Sequence, residues 1–153
     1  MTRSPHDPDR GLLLASGVIP TSWPSPADPG DLPAAALAYA EAGLPVFPVT
    51  PGAKHPLGGL APRGFQNASA DPERVRAWWR RAPLANIGLA TGAGLVVLDV
   101  DCPKGGVLDP SWPETRTAST ANEGLHLFFL VDEPVGCSVG QLGRGIDVRG
   151  DGG

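Results

Sequence analysis

The amino-acid sequence predicts an α+β fold, a mainly antiparallel sheet with flanking helices. Three observations lead there. Two segments carry helix-start chemistry, Asp31 with Pro33 and Asp71 with Pro72. Several short runs of Val, Ile, Leu and Phe are separated by glycine turns rather than by long helices. The chain has 153 residues, of which 41% are hydrophobic, enough for one domain with a real core.

Residues 1–31 hold Pro5, Pro8, Pro20, Pro24, Pro26 and Pro29 among Ser, Asp and Gly. They read as a flexible N-terminal extension with one short turn near Leu12–Ala15. The apolar stretch Gly11–Pro20 follows Asp7 and Asp9, so it lacks the basic n-region of a signal peptide. Asp31 is an N-cap and Pro33 lies in the first turn of a helix running to about Ala42, with Gly43 beyond its end. Leu44–Val49 is extended, and Pro45 and Pro48 suit an edge strand. Residues 50–67 form a loop carrying Lys54, His55 and Arg63. Asp71-Pro72-Glu73 starts a second helix whose apolar face is Val75, Trp78 and Trp79. Asn86–Thr91 and Leu95–Asp101 are expected as a hairpin around Gly92-Ala93-Gly94. After a loop over 103–114, Thr115–Thr120 and Leu125–Val131 pair across Asn122-Glu123-Gly124. Gly145–Arg149 is the last strand. The domain division is therefore 1–31, the extension, and 32–153, the folded domain.

No apolar run is long enough to span a bilayer, so no membrane partner is expected. Cys102 and Cys137 fit no zinc spacing and read as free thiols, which points to a cytoplasmic location. The net charge of −4 argues mildly against a sequence-independent nucleic-acid grip. From residue 34 onward there are 10 Lys/Arg against 12 Asp/Glu. With Asp99, Asp101 and Asp147 set aside as metal ligands, the balance becomes 10 against 9 and the objection disappears.

Those three acids are candidates for chemistry, although Asp147, set between Ile146 and Val148, also fits the plain alternation of a half-buried strand. Leu95–Val100 is an apolar, β-branched run that ends in Asp99-Val100-Asp101. In a strand the two acids share a face, with Cα atoms roughly 6.6 Å apart at about 3.3 Å rise per residue. Like charges so placed call for a cation, and a divalent metal is the usual one. Turn carboxylates at a strand end are the plainer reading. Haloacid-dehalogenase-type phosphatases also use such a pair, but Cys102-Pro103 stands where they have Gly-Thr. Sugar-nucleotide glycosyltransferases use Asp-x-Asp for a metal diphosphate, and nothing else in the chain supports them. His126 shares a strand face with Phe128 and Leu130, and Gly124 just before it is expected to open space beside the imidazole. A core histidine is the plain alternative to a phosphate contact. Asp147 and Arg149 share a face by the i, i+2 rule, which suits either a metal-bound triphosphate or a salt bridge. Lys54 is by default a solvated lysine. Trp78-Trp79 with Arg80-Arg81 fits core packing better than base stacking.

Taken in order, the segments resemble the N-terminal domain of bifunctional DNA primase/polymerases, in the archaeo-eukaryotic primase superfamily. The resemblance begins at Ala36–Ala40 and Gly43–Val49 and continues through Pro51–Pro56, Gly64-Phe65, Asp71–Trp79 and Asn86–Gly92. It then takes in Leu95–Asp101, His126–Phe129 and Gly145–Gly153. It implies a primase catalytic core, an RRM-like sheet with a second αβ unit. It places the first catalytic motif on Asp99 and Asp101, the phosphate-binding histidine on His126 and the third, acidic motif on Asp147. Arg149 and Lys54 follow as further nucleotide contacts. The implied reaction is metal-dependent nucleotidyl transfer, for primer synthesis and DNA polymerisation in replication, at a two-metal Mg²⁺ or Mn²⁺ site. The implied partners are nucleoside triphosphates, a DNA template and primer, and a separately encoded helicase or replication protein. The sequence departs from the family in a short 101–117 segment and in Glu123, a negative charge before the histidine. The family also continues into a further apolar strand, so the core is expected to be C-terminally shortened. The rival reading is an inactive remnant that binds nucleotide, nucleic acid or a replication partner.

Overall fold

The structure, a computed structural model, describes residues 15–18, 28 and 30–153. Most of the proposed N-terminal extension lies outside these residues. The fold is α+β, as the sequence predicts, and divides into two compact units.

The helical unit lies within residues 24–90. Helix α1 spans Leu32–Glu41, and the Asp31 carboxylate accepts from the Ala34 amide at 3.0 Å. Helix α2 spans Pro72–Arg81, and Asp71 accepts from the Glu73 amide at 3.0 Å. Each cap satisfies an amide that has no partner inside its helix. Strands β2 (Val46–Val49) and β3 (Asn86–Leu89) form a two-stranded antiparallel sheet. Ala36 and Ala40 of α1, Val46 of β2 and Val75, Trp78 and Trp79 of α2 bury one another around Ala85. Trp79 is 2% exposed and its indole N–H donates to the Ala85 carbonyl at 3.1 Å. Both tryptophans are therefore core residues, not a base-stacking platform.

The sheet unit comprises strand β1 (Ala15–Val18) and residues 91–153. Its strands are β4 (Leu95–Val100), β5 (Thr117–Ser119), β6 (Leu125–Val131), β7 (Ser138–Val139) and β8 (Ile146–Arg149). The order is β1-β6-β4-β8-β7, all antiparallel, with β5 also on β6. β5 pairs with residues 125–127 of β6, and β1 with residues 129–131. Two short strands thus share one edge of β6, which leaves less of it open to stray pairing.

The expected hairpin between residues 86–91 and 95–101 is not there. Two backbone bonds between Gly92 and Leu95 close the turn, but no ladder follows. β3 pairs with β2, and β4 pairs with β6 and β8. The apolar run of β4 is buried on both faces, which suits a central strand with a partner on each side. Val96, Leu98 and Val100 pack with Leu127, Phe129, Val131, Ile146 and Val148 to make the core of this unit. Alternation sends Asp99 to the opposite face.

Candidate functional site

Asp99 sits at the centre of the sheet unit because β4 does. On one side it pairs directly with His126 of β6. On the other it pairs directly with Asp147 of β8. Residues paired across adjacent strands project to the same face. His126, Asp99 and Asp147 therefore form one row across three strands. Arg149 is two residues further along β8 and shares that face.

The side chains of the row touch. His126 Nε2 lies 3.4 Å from Asp99 Oδ1. Arg149 Nη2 lies 3.5 Å from Asp99 Oδ2 and 3.1 Å from Asp147 Oδ2. The Gly140 amide donates to Asp147 Oδ1 at 3.1 Å. The carboxylates are half-buried, 29% exposed at Asp99 and 25% at Asp147, so their charges are less screened than surface charges.

Asp101 lies just past β4, as the cap residue of a short 3₁₀ turn over Cys102–Lys104. Its position is set by backbone. Its amide donates to the Gly145 carbonyl at 2.7 Å, and its carbonyl accepts from the Gly106 amide at 2.9 Å. The first bond ties the end of β4 to the residue before β8, and the second closes the turn that follows β4. The Lys104 ammonium lies 2.7 Å from Asp101 Oδ2. Its pKa is held above the ordinary lysine value by that hydrogen bond first and by the Asp101 charge second; desolvation opposes the rise, and Asp147 and then Asp99 add smaller upward pulls. Lys104 thus feels all three carboxylates.

Asp99, Asp101, His126, Asp147 and Arg149 all belong to the sheet unit. Lys54 belongs to the helical unit, exposed on the turn that the Thr50 amide closes by donating to the His55 carbonyl at 3.0 Å. Two participants escape a reading of the sequence. Lys104 is three residues after Asp101 across a proline turn, a spacing that signals an ion pair only once the turn is known. The Gly140 amide reaches Asp147 through β7, a two-residue strand with no alternation to detect. Gly124 is needed where the β5–β6 turn meets the end of β4. A Cβ there would lie 2.7 Å from the Val100 carbonyl and 2.8 Å from Thr120 Oγ1. The glycine admits the β4 backbone.

Cys102 and Cys137 are free thiols. Among the described residues, no group of three His, Cys, Asp or Glu side chains is arranged to hold a metal, and no helix is long and apolar enough to cross a membrane. The two Oδ2 atoms of Asp99 and Asp147 do converge, on Arg149 Nη2. The family model for bifunctional DNA primase/polymerase, N-terminal, matches residues 36–153. No curated protein and no solved structure matches the chain.

Proposed function

The chain belongs to the bifunctional DNA primase/polymerase N-terminal family, and from that membership we propose that its sheet unit carries a metal-dependent nucleotidyltransferase site. A DNA primase/polymerase-type role, with DNA and nucleotides as substrates, follows from the family. The finer reading is that Asp99, Asp101 and Asp147 hold Mg²⁺ or Mn²⁺ and that His126 and Arg149 contact the incoming nucleotide. The observation that carries it is the row His126–Asp99–Asp147, which sets an imidazole and two carboxylates side by side on one face.

The donor chemistry fits such an ion. All three acids offer oxygen, the ligand that hard divalent cations select. Two of those oxygens already converge on one cationic atom. When bound, such ions supply activation of a primer 3′-hydroxyl and neutralise charge at the leaving pyrophosphate. The chain's own groups do the rest. The rigid central strand holds Asp99 in register with Asp147. His126 presents its imidazole from β6 to donate a hydrogen bond to a phosphate oxygen. Arg149 offers a forked donor that matches phosphate geometry.

Primer extension tests this reading. The wild type, given Mn²⁺, a primed template and labelled deoxynucleotide, is expected to add nucleotides, and Asp99→Ala/Asp101→Ala is not. A wild type that binds deoxynucleotide with metal yet adds none would replace the enzyme with a binding module.

A further inference from the structure

Asp99 and Asp147 occupy one antiparallel pair, and like charges directly opposite each other destabilise a sheet. The chain supplies its own remedy. Arg149 Nη2 lies 3.5 Å from Asp99 Oδ2 and 3.1 Å from Asp147 Oδ2, so one nitrogen bridges carboxylates of two strands. The other oxygen of each acid is held elsewhere, Asp99 Oδ1 beside His126 at 3.4 Å and Asp147 Oδ1 by the Gly140 amide at 3.1 Å. The two Oδ2 atoms therefore converge on a point that a cation already fills.

We propose that Arg149 is the resident counter-ion of the Asp99–Asp147 pair, and that a divalent cation enters by displacing its guanidinium. This rests on the metal-site reading above and adds a competition to it. A divalent ion holds carboxylate oxygens at about 2.0–2.6 Å. A guanidinium nitrogen and that ion do not fit between the same two oxygens. The guanidinium leaves at low cost, since the Arg149 side chain is 44% exposed at the sheet surface. Once displaced it carries an unpaired positive charge beside the site, available to a phosphate group. Ion entry and the release of an arginine free to meet phosphate thus become one event, and the metal-free protein keeps one of the pair's two negative charges balanced.

The consequence is that Arg149 weakens metal binding when no nucleotide is present. The test is Mn²⁺ binding to the full chain without nucleotide, read from the electron paramagnetic resonance of free Mn²⁺. Arg149→Gln is expected to bind about tenfold more tightly than wild type, equal to about 1.4 kcal/mol. Arg144→Gln controls for net charge, because it removes the same charge from an exposed arginine of the β7–β8 loop. It is expected to stay within about twofold of wild type. Asp99→Asn is expected to lose the site. If Arg149→Gln binds Mn²⁺ no more tightly than wild type while Asp99→Asn weakens it, the counter-ion role is overturned and the metal site stands. If binding is indifferent to Asp99→Asn, the metal reading fails and takes the proposal with it. A second readout needs no variant. Mg²⁺ added to wild type is expected to shift the ¹⁵N resonances of the Arg149 guanidinium, and resonances that stay put at saturating Mg²⁺ would overturn displacement.

Discussion

Replacing Gly106 with alanine puts a methyl group where two backbone segments cross beneath the candidate site. A Cβ at Gly106 would lie 2.5 Å from the Gly145 carbonyl oxygen, and 2.9 Å and 3.0 Å from the carbonyl oxygen and amide nitrogen of Asp101. Favourable contact needs about 3.5 Å, so the segments must part by about 1 Å. Two hydrogen bonds span that crossing, Asp101 N–H to Gly145 at 2.7 Å and Gly106 N–H to Asp101 at 2.9 Å. An opening of that size takes both beyond the usual limit of about 3.2 Å. Each contributes about 1 kcal/mol net, so the substitution is expected to cost about 2 kcal/mol. With a urea slope of about 2 kcal/mol/M, the unfolding midpoint should fall by about 1 M. Gly136→Ala is the control in the same unit, because a Cβ there meets nothing within 4 Å. It should stay within about 0.5 kcal/mol of wild type. Equal midpoints for Gly106→Ala and Gly136→Ala would refute the reasoning, and with it the idea that this crossing sets the position of Asp101.

Trp79→Phe deletes one ring of a buried indole and leaves the Ala85 carbonyl without its donor; the unpaired carbonyl alone is expected to cost about 1–3 kcal/mol, with the cavity adding to it, as read by urea denaturation followed by circular dichroism. Glu123 holds φ +57 in the β5–β6 turn, a conformation that costs an L-residue about 1 kcal/mol. Glu123→Gly should therefore raise the urea midpoint slightly, where an ordinary exposed glycine substitution would lower it. In Asp101→Ala, Lys104 should lose its hydrogen-bonded partner and titrate nearer the ordinary lysine value, as followed by NMR of its side chain. The sign follows from the raised value. Whatever this pair adds to stability is fully present below the unfolded lysine pKa and is lost as pH rises through the higher folded value. The Ser111 hydroxyl and amide hold Asp109 below the ordinary carboxylate value, so its contribution is present above the unfolded pKa and lost as pH falls through the lower folded one. Ser111→Ala should move the Asp109 titration upward.

Local chemistry was legible in the sequence, and pairing partners were less so. Asp31 and Asp71 announce their helices because a cap and a first-turn proline act within four residues. The β5–β6 hairpin was readable for the same reason, as its turn and both strands lie within 15 residues of chain. The β3–β4 hairpin failed because a glycine turn states that the chain can reverse, not which strand will be its neighbour. β2 and β3 are almost 40 residues apart, and their pairing depends on the helices that bury Val46 and Ala85. At the site, alternation placed Asp147 with Arg149, but which sheet face Asp147 shares with Asp99 is a question of register between strands. The structure answers it with a direct pair. Lys104 and the Gly140 amide were invisible because a turn and a two-residue strand bring them in.

The central claim is that the row across β6, β4 and β8 is one catalytic site. Its most direct test is the rate of nucleotide addition by Asp147→Asn against Asp151→Asn. Both remove one negative charge from the same stretch of chain, but the Asp151 carboxylate accepts from the Ala93 amide at 2.9 Å and has no place in the row. The account predicts a fall of about a hundredfold or more for Asp147→Asn, the scale of losing one group that stabilises a transition state. Asp151→Asn should keep most of the wild-type rate. Equal rates for the two variants would contradict it.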